Sequence, residues 1–248
     1  MNISNLSALA KLIASNQNEA KAVIKLASID VLKSLGDGKY SILLDNKSLT
    51  AQSDKPLSEG AKYWTQLSQS KNSTPELSNL LKQPHLLKSL QNSTIEYSIK
   101  DLQTILSSKK PESIIKHGLL EHLTNSATKE EFTNTSTLLL SLQNQTMTIP
   151  LNYHGYFFVL QFKKRYNKRT KKTQIDFYAA LELLGPVSGV ISLEGGAVSA
   201  ELNVAFNKTK QFLEDNMDNI SFDVNISLID TIEPLYSANI NSLLDISI

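Results

Sequence analysis

The chain has 248 residues, 25 basic against 24 acidic side chains, 41% hydrophobic residues and no cysteine. Length predicts one large domain or two small ones, at ~100–200 residues each, and the apolar fraction supports a buried core rather than wholesale disorder. A net charge of +1 gives no overall attraction to nucleic acid or anionic membrane, and a chain without thiols excludes disulfides, thiolate catalysis, iron–sulfur clusters and Cys-ligated zinc.

Residues 6–15 carry an apolar stripe at Leu6, Leu9, Ala10, Leu12 and Ile13, which predicts a helix. The opening Met1-Asn2-Ile3-Ser4 has no basic start and leads into no continuous apolar run, so a cleaved secretory signal is not expected. The Ser/Asn-rich stretch up to Asn18 suits an uncleaved export signal as well as a frayed terminal helix. No run approaches ~18 apolar residues, so no transmembrane helix is predicted and the expected location is the cytoplasm.

Four strands are predicted next, at Val23–Leu35, Tyr40–Leu44, Ser48–Gln52 and Lys62–Leu67. Turns at Gly36-Asp37-Gly38, Asp45-Asn46-Lys47 and Pro56–Gly60 separate them. Short strands on tight turns predict a small curled sheet or barrel within residues 1–70. The polar breaker 69–75 opens a helical middle, 71–146. Pro75 suits a first helical position, with Leu77, Leu80 and Leu81 on one face. Further helices are predicted at Ile99–Ser107, Pro111–Thr124 and Lys129–Gln145, the last opened by the capping-box pattern Thr128-Lys129-Glu130-Glu131.

From 147 to 248 strands return. They are predicted at Thr148–Tyr153, Tyr156–Tyr166, Thr173–Leu183, Val187–Glu194 and Ala197–Phe206, with a loop at 163–172 and a break at Gly185-Pro186. Gly195-Gly196 makes a hairpin turn. A helix at Thr209–Asn219 and a strand at Ile220–Ile229 follow, giving β-β-β-β-β-α-β. The whole reads as α+β: an N-terminal small β-barrel-like module, a helical middle and a β-rich C-terminal domain.

No constellation for catalysis emerges. His117 and His122 are five apart, on different helix faces, and His85 and His154 have no partner at metal-ligand spacing. There is no Gly-x-Ser-x-Gly elbow and no phosphate-binding Gly-x-x-x-x-Gly-Lys-Ser/Thr loop. Glu130-Glu131 and Glu214-Asp215 sit in or at predicted helices, where acids near an N-terminus favour the dipole. The expectation is a protein without enzymatic activity, cofactor or metal.

One segment is unusual in charge. No acid occurs between Glu131 and Asp176, and Lys163, Lys164, Arg165, Lys168, Arg169, Lys171 and Lys172 crowd a predicted hairpin tip. Such a tip suits phosphate, RNA or an acidic protein surface, or simply deters edge-to-edge sheet pairing. Of the ligands, nucleic acid is disfavoured, because Tyr166 is the one aromatic residue placed for base stacking.

The segment Leu181–Phe206 resembles the carboxy-terminal domain of flagellar hook-length control proteins. Leu184, Gly185, Val187, Val190 and Leu193 fill the first strand of that family's pattern, with Val190 displaced by one, and Gly195, Val198, Leu202, Val204 and Phe206 fill the second. The likeness covers roughly 147–230, and Lys39–Leu67 is similar to a small β-domain found beside it in some relatives.

The resemblance implies a non-enzymatic role: protein–protein contact with the export-gate switch protein of the flagellar type III apparatus, which changes which substrates are secreted. A hook-cap protein or an export chaperone would be further partners, and export without a cleaved signal a further implication. The corner Leu184-Gly185-Pro186-Val187, where glycine and proline turn a strand end, is the expected docking point. Val190, Leu193, Leu202, Val204 and Phe206 are expected core residues. The alternative reading is a basic-loop module for nucleic acid or an acidic protein partner.

Overall fold

Five strands build the first unit: β1 (Leu26–Gly36), β2 (Lys39–Leu44), β3 (Lys47–Ser53), β4 (Lys62–Gln69) and β5 (Pro75–Lys82). The computed structural model describes residues 26–69, 75–91, 93–153, 155–167, 172–194 and 196–237. The predicted helix at 6–15, residues 23–25 of the first predicted strand and the tail beyond 237 lie outside them. The strands close a barrel in the order β1-β2-β3-β5-β4, with β3 and β5 parallel and the other pairs antiparallel. Asp45 and Asn46 both take positive φ between β2 and β3, the conformation that matches a hairpin turn to strand twist. Alternate side chains fill the interior, among them Ile29, Val31, Ile42, Ala51 and Tyr63.

β5 corrects the expectation of a helix at Pro75 and moves the start of the helical middle past Lys82. The Leu77–Leu80 spacing is helical, yet it arises from a bulge. Thr65 on β4 stands opposite two residues, Asn79 and Leu80, and Asn79 takes φ 50°. The extra residue shifts the strand's parity. Leu77 and Leu80 therefore both pack against the barrel core, while Leu81 joins the neighbouring one.

Four helices follow: α1 (His85–Leu90), α2 (Ile99–Ser107), α3 (Pro111–Thr124) and α4 (Lys129–Gln143). α2 and α3 have the predicted bounds. α4 opens with the predicted capping box, Thr128 Oγ1 accepting from Glu131 N–H and Glu131 from Thr128 N–H. It ends two residues early, because Gln145 at φ 59° turns the chain into the next strand.

The second sheet comprises β6 (Met147–Tyr153), β7 (Tyr156–Asn167), β8 (Lys172–Leu181), β9 (Gly185–Glu194), β10 (Ala197–Val204) and β11 (Asp223–Leu228). Its spatial order is β11-β10-β9-β8-β7-β6. Between β10 and β11 lie α5 (Asn207–Asp215) and a 3-10 turn (Met217–Asn219), so the predicted single helix is divided. β11 returns parallel to β10, as a crossover helix requires. The predicted order β-β-β-β-β-α-β is observed. Strand alternation puts Phe158, Leu160, Phe162, Phe177, Ala179 and Leu181 on one face, all buried in a core shared with the helices.

The barrel joins this core through its outer wall. Leu26 and Trp64 belong to the larger core, not to the barrel interior. Beside them Gln83 Nε2 donates to Ser28 Oγ at 2.9 Å, and Asp30 faces Lys62 and Lys88 at 3.6 and 3.7 Å.

Candidate protein-interaction surface

The Leu184–Val187 corner, expected to be partly exposed, is sealed. Leu184 and Val187 are fully buried, and Gly185 and Pro186 are buried with them. Gly185, at φ 78°, begins β9 directly under the Phe206 ring and beside Leu26 of the barrel. The Leu184 carbonyl accepts a 2.7 Å hydrogen bond from Thr209 Oγ1. The strand ends at Leu181 and the turn is Glu182–Leu184, so the predicted break at Gly185-Pro186 falls instead on the first paired residues of β9, and sequence does not show that α5 and β1 close over the corner. Leu202, Val204 and Phe206 are buried as expected, while Val190 and Leu193 are half-buried.

The basic segment is divided by the sheet. The predicted loop at 163–172 is strand up to Asn167 and again from Lys172. Lys168, Arg169 and Lys171 lie outside the described residues. Arg165 Nε is ion-paired with Asp176, whose side chain is buried. Lys172 Nζ reaches Glu194 Oε2 at 2.8 Å. Lys163 is half-buried, and Lys164 and Tyr166 are exposed. Arg165 and Lys172 are thus engaged with acids of the adjoining strands, whereas Lys164 has no ion-pair partner among the described residues.

Lys164 stands over a cleft. Its apolar floor is Leu106, Met147, Phe162 and Ile175, and its volume is about 830 Å³. Lys109, Glu112 and Tyr166 stand at its rim, and Ser108 Oγ, buried in its wall, has no hydrogen-bond partner among the described residues. A second cleft of about 340 Å³ continues between α3 and α4, lined by Lys116, Leu120 and Leu139. Glu112 and Leu142 line both. Sequence reading missed Lys109, Lys116 and Leu142, because they come together only when the α2–α3 corner packs beside β7 and β8. The absence of acid from 132–175 marks only the Leu142 and Lys164 side of this surface, and no sequence signal points to Lys109 or Lys116.

The other face of the sheet carries a cavity of about 530 Å³ under residues 231–237. Gln161, fully buried, holds that segment from both sides of its amide. Its Nε2 donates to the Tyr236 carbonyl at 2.8 Å and its Oε1 accepts from Tyr236 N–H at 3.2 Å. Burial pushes the neighbouring Tyr178 phenol well above its usual range.

Among the described residues no group of three or more His, Asp or Glu is placed to hold a metal ion. His85, His117 and His122 are exposed helix residues, and His117 Nε2 lies 3.4 Å from Glu121 one turn on. His154 lies outside the described residues. Glu214 faces Lys210 at 3.7 Å across one turn of α5. No helix is long and apolar enough to cross a membrane, among the described residues. No protein-family model matches the chain, and no curated protein matches it.

Proposed function

We propose that this chain is a non-enzymatic flagellar protein of the hook-length control type, acting by contact with the export-gate switch protein to change secretion specificity. One observation supports this reading: the order β6 to β10, α5, β11, with a Gly-Gly hairpin between β9 and β10, is the order that the resemblance implies. The contact runs through exposed surface and not through the Leu184–Val187 corner, whose side chains are committed to packing.

Two measurements test it together. Purified chain is titrated against the cytoplasmic domain of the export-gate switch protein, and hook lengths are measured in a deletion strain. Binding with lengthened or uncontrolled hooks is expected. No binding together with normal hooks would remove the proposal.

A further inference from the structure

The two clefts on either side of Leu142 form one continuous groove with an apolar floor and a basic rim. We propose that this groove docks a net-acidic amphipathic segment, apolar on one face and carboxylate-flanked, of a partner protein. The inference rests on the reading that the chain works by protein–protein contact and adds the surface and the chemistry of the occupant.

Charge complementarity argues for this occupant. Lys109, Lys116 and Lys164 stand at the rim, all exposed and without an ion-pair partner among the described residues. Glu112 is the single acid lining either cleft. Cations bordering a groove attract carboxylates and set their register, while the desolvated floor supplies affinity. The floor is suited to apolar anchors, because Phe162, Ile175 and Leu106 at one end and Leu120 and Leu139 at the other are separated by Leu142. A helix laid in a groove presents anchors at i, i+3, i+4 and i+7, an arrangement that an elongated apolar floor accepts. A nucleic acid would need stacking platforms, and Tyr166 is the one exposed aromatic on this lining.

The test uses the full chain and a fluorescent peptide of about sixteen residues, with Leu at i, i+3, i+4 and i+7 and Glu on its flanks. A control peptide has the same composition with the Leu dispersed. The variant is Lys109→Glu/Lys116→Glu/Lys164→Glu, three exposed positions, and its melting temperature is measured first and is expected to stay close to that of the wild type. Saturable binding to the wild type, at least tenfold weaker to the variant and absent for the dispersed peptide, is expected. Four results would overturn the proposal: no saturable binding, equal binding of the dispersed peptide, no loss in the variant, or a wild-type dimer that the variant dissolves. A single-stranded oligonucleotide that outcompetes the peptide would also overturn it, in favour of nucleic acid.

The export-gate domain is titrated in parallel. If it fails to bind and the deletion strain has normal hooks while the peptide binds through the groove, the flagellar reading falls and the groove stands. If it binds wild type and variant equally, the groove falls and the flagellar reading stands.

Discussion

The Phe206 ring occupies the place that a side chain on Gly185 would need. A Cβ there would come within 2.6 Å of Phe206 Cε2, on a backbone at φ 78° that L side chains rarely adopt. The same Cβ would lie 3.7 Å from Leu26 Cδ1, so the glycine sits where the barrel, the sheet and the chain entering α5 meet. Gly185→Ala is expected to cost about 3 kcal/mol, combining a left-handed backbone with overpacking. Urea denaturation checks this. A loss below ~0.5 kcal/mol would mean that the ring moves aside freely.

Thr209 secures the same corner from α5. Its hydroxyl donates to the Leu184 carbonyl at 2.7 Å, and both groups are buried. Thr209→Val keeps the shape and leaves that carbonyl without its donor, at an expected cost of about 1–2 kcal/mol. A Val variant as stable as the wild type in the same denaturation would show that another donor takes over.

Arg165 is expected to matter for stability, and Lys164 beside it for binding. Removing the arginine leaves the Asp176 carboxylate buried without its cation. Arg165→Gln should cost about 1–3 kcal/mol, and adding Asp176→Asn should restore part of it. Lys164→Gln, at an exposed position, should change stability by less than ~0.5 kcal/mol. Thermal melts of the four proteins decide the matter, and equal melting of Arg165→Gln and Lys164→Gln would contradict the assignment.

Acid should loosen the start of α2. The Ser98 hydroxyl, at 2.7 Å, and then the Ser98 N–H, at 2.8 Å, hold the Asp101 carboxyl below its usual range. The unfolded chain has the higher pKa, so this group's contribution is present above about pH 4 and is lost as pH falls through the folded value. Amide protection in the first turn of α2 should fall with acid in the wild type and show a flatter dependence below pH 4 in Asp101→Asn. Parallel acid profiles in the two proteins would rule out the capping carboxylate as the cause.

Local rules made much of this chain legible. Turn chemistry at Asp45-Asn46 and at the glycine turns, capping at Thr128, and strand alternation from Met147 onward each act over a few residues. The helix predicted to start at Pro75 is a strand for an instructive reason: a bulge mimics a helical spacing of leucines when a strand gains one residue at Asn79. The candidate surface was less legible. Seven cations cluster at the hairpin in sequence, yet Arg165 and Lys172 are neutralised by Asp176 and Glu194 from adjoining strands. The rim cations Lys109 and Lys116 come from a segment remote in sequence.

Sequence by itself determined the α+β class, the tight turns of the barrel, the bounds of α2 and α3 and the β-β-β-β-β-α-β order, because these follow from backbone propensity and periodicity along the chain. Tertiary structure alone decided that β5 closes the barrel between β3 and β4. It decided that Leu26 and Trp64 turn outward into a shared core, and that Leu184–Val187 is sealed while the groove beside Leu142 stays open. Each of those depends on which surfaces meet, and an apolar residue carries the same periodic signal whether its neighbour is a packed ring or solvent.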